Sequence, residues 1–270
     1  MVSVQLSFMY LPVHQTDKMK LYLCLVLMLF GAAAGQHCSL ITGWLKQIDA
    51  GAGEVFGVNG YDDIFRLVGD DWVQFPGKLK HVTVGPSGLW GANNDNYIFK
   101  IQDAKWVNVE GKLKQLDAGG NGLLVGVNQH DNIFCLNQDS ISSTSANLPF
   151  NDVEGSLKYY SCGLYGCWGV NSKNEIFHRL DVSPTNCKGS EWKPVEGNLV
   201  MVEAGTDGSV YGLNGLGQIY RRQGISSSNP MGTNWKIVNI NGPYKHLSYD
   251  EGILWLINTD GNIFKCDLHQ

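Results

Sequence analysis

Six short polar segments hold most of the side chains that could do chemistry. The first runs Asn59-Gly60-Tyr61-Asp62-Asp63, the second Asn93-Asn94-Asp95-Asn96-Tyr97, and the third Asn128-Gln129-His130-Asp131-Asn132. Shorter versions follow at Asn171, Lys173 and Asn174, at Gln218, and at Asp260 and Asn262. Carboxamides donate and accept hydrogen bonds, carboxylates accept them, and an adjacent aromatic ring can stack on a pyranose face. Asn59, Tyr61, Asp62, Asp63, Asn94, Asp95, Tyr97, His130 and Asp131 are therefore candidate saccharide contacts. Tight turns select the same residue types, because Asn, Asp and Gly cap or tolerate the turn backbone. Repetition does not separate the two readings, since a repeated turn repeats its residues.

A second set is more widely spaced. Asp49, Thr83, Asp117, Ser161, Glu203 and Ser248 align from segment to segment, polar every time, with an acid in alternate copies. In a closed ring, Asp49, Asp117 and Glu203 would face one central channel. Oxygen ligands of that kind suit a hard cation such as Ca²⁺. The competing reading is a wet channel mouth whose acids bond water or backbone, because a calcium cage needs more oxygens than these. No cofactor is required by anything in the sequence.

Catalysis is not expected. Nucleophile elbows, zinc-protease helices, phosphate loops and dinucleotide fingerprints are all missing. A sialidase-like propeller enzyme would need an arginine clamp, and Arg66, Arg179, Arg221 and Arg222 read as scattered, at no repeated position. The Asp260-Gly261 pair faintly resembles an Asp-box and reads better as a turn. A net charge of −5 with 20 Lys plus Arg gives no basic stripe, so nucleic acid is not an expected partner.

The elements that must carry these segments repeat six times. Ile64-Phe65, Ile98-Phe99, Ile133-Phe134, Ile176-Phe177, Ile219-Tyr220 and Ile263-Phe264 each follow an apolar run closed by an Asn. Those runs include Val55-Phe56-Gly57-Val58, Leu89-Trp90-Gly91-Ala92 and Cys167-Trp168-Gly169-Val170. Each unit reads as four strands: one opening at a Leu or Tyr and turning at a Gly, the run, the Ile-Phe strand, and a strand carrying Trp72, Trp106, Trp192 or Trp235. Phe150 stands for that Trp in the third unit. Repeats starting near 45, 79, 113, 157, 199 and 244 fit propeller blades. Neighbouring Ile and Phe point to opposite strand faces, so both faces must be covered, as in a blade between two others. The Gly inside the second strand is expected to let adjacent blades approach closely. The fold class is thus all-β, a six-bladed β-propeller of four-stranded blades.

The last unit has no room for a fourth strand. Cys38-Ser39-Leu40-Ile41-Thr42-Gly43 aligns with Trp106-Val107-Asn108-Val109-Glu110-Gly111, so the N-terminal strand is expected to close the last blade. That places Cys38 beside Cys266. Cys162 and Cys167 flank one turn and should pair locally, leaving Cys135 and Cys187 for each other, although six cysteines allow 15 connectivities. Met19-Lys20, the apolar run Leu21 to Phe30 and the small residues Gly31 to Gly35 read as a signal peptide. Residues 1–35 are taken as an upstream extension plus that signal, with the signal proper from Met19, and 36–270 as one propeller domain. The expected location is secreted and extracellular, without a membrane span. The mature region has no Asn-x-Ser/Thr sequon.

Trp106 through Glu110-Gly111-Lys112-Leu113-Lys114 to Ala118-Gly119, then Gly126-Val127-Asn128 and Ile133-Phe134, resembles the tectonin repeat. With the leader and cysteine layout, the whole mature region is similar to the tectonin-repeat propeller lectins of fish eggs. The resemblance implies binding of N-acetylglucosamine or galactose-type sugars and bacterial surface polysaccharides in innate defence. It also associates calcium with some members and is compatible with a homodimer. The alternative is a protein-binding propeller without sugar activity. The third unit lacks the repeat Trp, and Leu256 replaces the second-strand Gly in the sixth.

Overall fold

Short strands alternating with Gly- and Asn-containing turns fold each repeat into an up-and-down antiparallel sheet. The computed structural model describes residues 37–268, and the expected leader lies outside them. The described chain opens with β1 (His37–Trp44). Blade 1 comprises β2 (Gln47–Gly51), β3 (Glu54–Val58), β4 (Asp63–Val68) and β5 (Asp71–Lys78). Blade 2 comprises β6 (His81–Gly85), β7 (Gly88–Ala92), β8 (Tyr97–Gln102) and β9 (Lys105–Lys112). Blade 3 comprises β10 (Gln115–Asp117), β11 (Leu124–Val127), β12 (Ile133–Leu136) and β13 (Asn151–Val153), with a single helical turn, α1 (Gln138–Ile141), before the last strand. Blade 4 comprises β14 (Tyr159–Gly163), β15 (Gly166–Val170), β16 (Ile176–Arg179) and β17 (Trp192–Val195). Blade 5 comprises β18 (Met201–Ala204), β19 (Val210–Leu213), β20 (Ile219–Gln223) and β21 (Asn234–Val238). Blade 6 comprises β22 (Tyr244–Asp250), β23 (Ile253–Asn258) and β24 (Asn262–Asp267), with β1 as its fourth strand.

The six sheets form a six-bladed propeller closed by the N-terminal strand. In the β1–β24 ladder Ile41 lies opposite Ile263 and Cys38 opposite Cys266, and the two cysteines are disulfide-bonded. Cys162 and Cys167 bond across β14 and β15, and Cys135 ties β12 to Cys187 in the β16–β17 loop. Among the described residues, no helix is long and apolar enough to cross a membrane.

The core lies between blades. Phe56, Val58 and Ile64 of blade 1 pack on Leu79, Val82 and Val84 at the entry to blade 2, and comparable clusters fill the other junctions. Each such side chain removed from water stabilises the fold by about 1.5–3 kcal/mol. The repeat Trp seals the rim of a junction. Trp106 Nε1 donates to Pro76 O at 2.7 Å, Trp192 Nε1 to Glu154 O at 2.7 Å, and Trp235 Nε1 to Glu196 O at 2.9 Å. In blade 3 Phe150 packs instead against the cluster around Trp90.

One glycine expectation is corrected. A Cβ on the second-strand Gly57 would lie 2.4 Å from the Leu45 side chain, and one on Gly169 2.3 Å from Leu157, so these glycines admit the leucine of their own blade. The close approach between blades occurs at the end of the first strand. A Cβ on Gly85 would stand 2.4 Å from Ala118 O, and one on Gly119 2.4 Å from Cys162 O. In blade 6 the exchange is reciprocal: Leu256 replaces the second-strand Gly and Tyr244 replaces the leucine.

Candidate functional site

The polar tier of the innermost strands joins blade to blade. Asp49 Oδ2 accepts the Val84 N–H at 2.7 Å, Thr83 Oγ1 the Ala118 N–H at 2.9 Å, and Asp117 Oδ2 the Cys162 N–H at 2.5 Å. Ser161 Oγ accepts from Ala204 N–H at 3.0 Å and Ser248 Oγ from Ala50 N–H at 2.9 Å. Glu203, one carbon longer than Asp, accepts instead from the Ser248 hydroxyl at 3.3 Å. Two residues earlier on the same strands, Gln47 exchanges two hydrogen bonds with the Val82 backbone and Gln115 two with that of Tyr160.

Burial raises the Asp49 carboxyl well above the usual carboxylate range, with Asp117 adding repulsion. Asp117 is pushed up to about 6 by burial, against the lowering effect of its backbone hydrogen bonds. Glu203 is raised by burial and then by Asp49 and Asp117. The three acids thus share one field across the channel. Among the described residues, however, no three His, Cys, Asp or Glu side chains converge in a way that could hold a metal ion. As placed, the acids fit inter-blade latches better than a cation cage.

The Asn-rich segments form the turns between second and third strands. Asn59 Oδ1 accepts the Tyr61 and Asp63 N–H groups, both at 2.9 Å. Asn93, Asn128, Asn171, Asn214 and Asn258 each cap their own turn in the same way. Asp62 and Asp131 occupy left-handed backbone, at φ 64° and 65°, and pair with Lys46 and Lys114. Asp63 is held by Lys78 Nζ at 2.5 Å and by Asn59 Nδ2 at 3.2 Å. Lys112 Nζ lies 4.3 Å from the Tyr97 ring centroid, and His130 meets the Gln129 side chain at 3.0 Å. The Asn94 carboxamide crosses from blade 2 to Asp62 of blade 1. That contact brings two of the candidates together; Tyr61, Asp95 and His130 project to solvent from three different blades.

The opposite strand ends carry a cleft that sequence reasoning missed. Between blades 4 and 5 a space of about 300 Å³ is lined by Tyr165, Asp207, Gly208, Ser209, Arg221 and Gln223, among others. Tyr165 sits in the tight β14–β15 turn held by Cys162–Cys167, and its ring packs so close to Gly208 that a Cβ there would lie 2.5 Å away. Asp207 is positioned by Tyr249, whose hydroxyl donates at 2.6 Å, and by the Ser209 N–H at 2.7 Å. Arg221 projects from β20 over the Tyr211 ring at 5.7 Å. The cleft therefore gathers donors and acceptors of mixed kind beside Tyr165 on an almost wholly polar lining, a composition that can orient a hydroxylated ligand. A wider cleft of about 480 Å³ beside β21 is walled largely by Leu216, Ile237, Ile240 and Pro243, with no charged group.

The register also corrects the arginine reading. Phe56 opposes Arg66 and Tyr211 opposes Arg221, so these two arginines occupy one repeat position. Arg179 and Arg222 share the next: each projects from a third strand and forks onto a glutamate of the preceding blade, Glu154 or Glu196. Aligning the Ile-Phe strands and reading two and three residues onward would have shown both.

The tectonin domain family matches residues 44–259. The fish-egg lectin of Cyprinus carpio is 48% identical over 234 residues, covering 86% of this chain and 98% of that protein. The chain belongs to the tectonin family. The tectonin match runs from the end of β1 to the turn after β23, which takes in every candidate residue above. Beyond tectonins the likeness is one of fold alone. Virginiamycin B lyase from Staphylococcus aureus aligns at 18% identity with a TM-score of 0.54, over 80% of this chain and 77% of that one. YCF48 from Cyanidioschyzon merolae aligns at 12% identity with a TM-score of 0.52, over 86% and 82%.

Proposed function

We propose that the protein is an extracellular lectin, without catalytic activity, whose saccharide site is the cleft between blades 4 and 5. The observation that carries the location is the polar cleft itself, in which Tyr165, fixed by a disulfide-bonded turn, stands beside Asp207, Ser209, Arg221 and Gln223. The relationship to a fish-egg lectin supports glycan binding, and three disulfides support an oxidising, extracellular setting. Sugars of the N-acetylglucosamine or galactose type and bacterial surface polysaccharides are the ligands this reading favours, with defence of eggs or secretions as the role.

A glycan array followed by calorimetry tests it. The wild-type protein should bind a defined set of glycans, and Tyr165→Ala should weaken them by about tenfold or more, the loss of roughly 1.4 kcal/mol of stacking. A blank array would return the protein to the class of protein-binding propellers. Unchanged affinity in Tyr165→Ala would move the site elsewhere.

A further inference from the structure

Blades 1 and 5 carry arginine at the same repeat position, with different surroundings. In blade 1, Arg66 Nε and Nη2 fork onto the Glu54 carboxylate at 2.7 and 2.6 Å. Glu54 stands two residues before Phe56, the residue opposite Arg66. The residue two before Tyr211, opposite Arg221, is Ser209. The internal carboxylate is therefore replaced by a hydroxyl, which the Arg221 Nη2 reaches at 3.4 Å.

Among the described residues, no nearby acid takes over. Asp207 is occupied by Tyr249, by the Ser209 N–H and by the Ser209 hydroxyl at 3.2 Å. Glu196 belongs to Arg222. Among the described residues, Arg66, Arg179 and Arg222 are ion-paired, whereas Arg221 meets a hydroxyl and a ring face. Its fork is exposed and lines the cleft. A planar guanidinium binds an oxyanion through paired N–H groups, a geometry that neutral hydroxyls do not reproduce.

We propose that the cleft between blades 4 and 5 selects acidic saccharides, whose carboxylate, sulfate or phosphate takes at Arg221 the place that Glu54 takes at Arg66. The inference rests on the reading of this cleft as the saccharide site. Tyr165 stands beside the sugar ring, while the Gln223 carboxamide, also in the lining, meets its hydroxyls. Binding at this position leaves the blade 1 pair untouched, so the preference belongs to one side of the propeller.

Matched ligands test it: glucose against glucuronic acid, and N-acetylglucosamine against its 6-sulfate and its 6-phosphate, titrated calorimetrically at low and high salt. The wild type should prefer at least one acidic partner by about tenfold, the scale of one charge-assisted fork, and lose part of that preference in salt. The arms separate the three oxyanions. Arg221→Gln removes the fork, and Ser209→Glu rebuilds the blade 1 pair internally; both should bring the acidic-to-neutral affinity ratio to about one. Arg221 is exposed and Ser209 half-buried, and melting curves check that the propeller is intact. Equal binding of acidic and neutral sugars by the wild type, or a preference that survives both substitutions, overturns the proposal while leaving the glycan reading standing. No binding to any of these sugars also overturns the proposal, and only a blank glycan array beside it removes the glycan reading as well.

Discussion

Asp117 shows what a single channel residue contributes. Its carboxylate latches blade 3 to blade 4 through the Cys162 N–H, yet burial pushes its pKa up to about 6 from an unfolded value of 3.8. An acid whose pKa is raised by folding adds stability below the unfolded value and loses that contribution as pH rises through the folded value. His81 and His246, lowered by burial to about 4 and about 3, act in the opposite sense: their contribution is present above 6.5 and fades as pH falls. Asp117→Asn keeps an oxygen for Cys162 and removes the ionisation. The variant should gain roughly 2–3 kcal/mol on the wild type between pH 4 and neutral pH, on top of a constant offset from the lost Gly119 contact, the histidine terms cancelling in the difference. Chemical denaturation across that range is the measurement, and parallel curves at every pH would show that Asp117 does not titrate there. At this scale the sequence was only half legible. That Asp49, Asp117 and Glu203 align was visible, whereas their engagement by the next blade was not, because the partners, two backbone N–H groups and the Ser248 hydroxyl, lie dozens of residues away.

At the scale of the strand, what matters is where backbones meet. In blades 1 to 4 the first strand runs out at a glycine (Gly51, Gly85, Gly119, Gly163) whose neighbour is a carbonyl of the following blade, and that contact sets the spacing there. Gly85→Ala places a methyl 2.4 Å from Ala118 O, where neither backbone can yield without moving a blade. We expect a loss of about 1–3 kcal/mol or more, typical of overpacking. Gly215→Ala, with its nearest neighbour Val200 Cγ1 at 3.8 Å, should stay within about 0.5 kcal/mol of wild type. Equal melting temperatures for the two variants would contradict the assignment. The sequence marked both recurrent glycines. It assigned the inter-blade contact to the second-strand one, since period and composition record that a side chain is missing without recording what occupies its space.

The whole molecule depends on closure. Cys38–Cys266 spans 228 residues of sequence and pins β1 to β24, whereas Cys162–Cys167 spans 5 and closes one hairpin. On chain entropy the first is worth up to about 5 kcal/mol and the second about 2. Replacing both cysteines of the first pair by serine should therefore cost more than replacing the second pair, and hydrogen exchange should quicken first along β1 and β24. Equal losses would mean that β1 holds the ring without its covalent tie. Much of this architecture was determined by the sequence itself. The Ile-Phe strands, the turn asparagines and the split sixth blade follow from alternation and repeat length, which act over neighbouring residues and survive translation into strands. Register then set Cys38 opposite Cys266. Tertiary structure alone decided which polar groups remain free. Asn59 and its equivalents are consumed by their own turns, the channel acids by the next blade, and among the described residues Arg221 meets no carboxylate because Ser209 occupies the place that Glu54 holds in blade 1. Availability of a side chain depends on every neighbour within hydrogen-bonding distance, and in a ring some of those neighbours come from another blade.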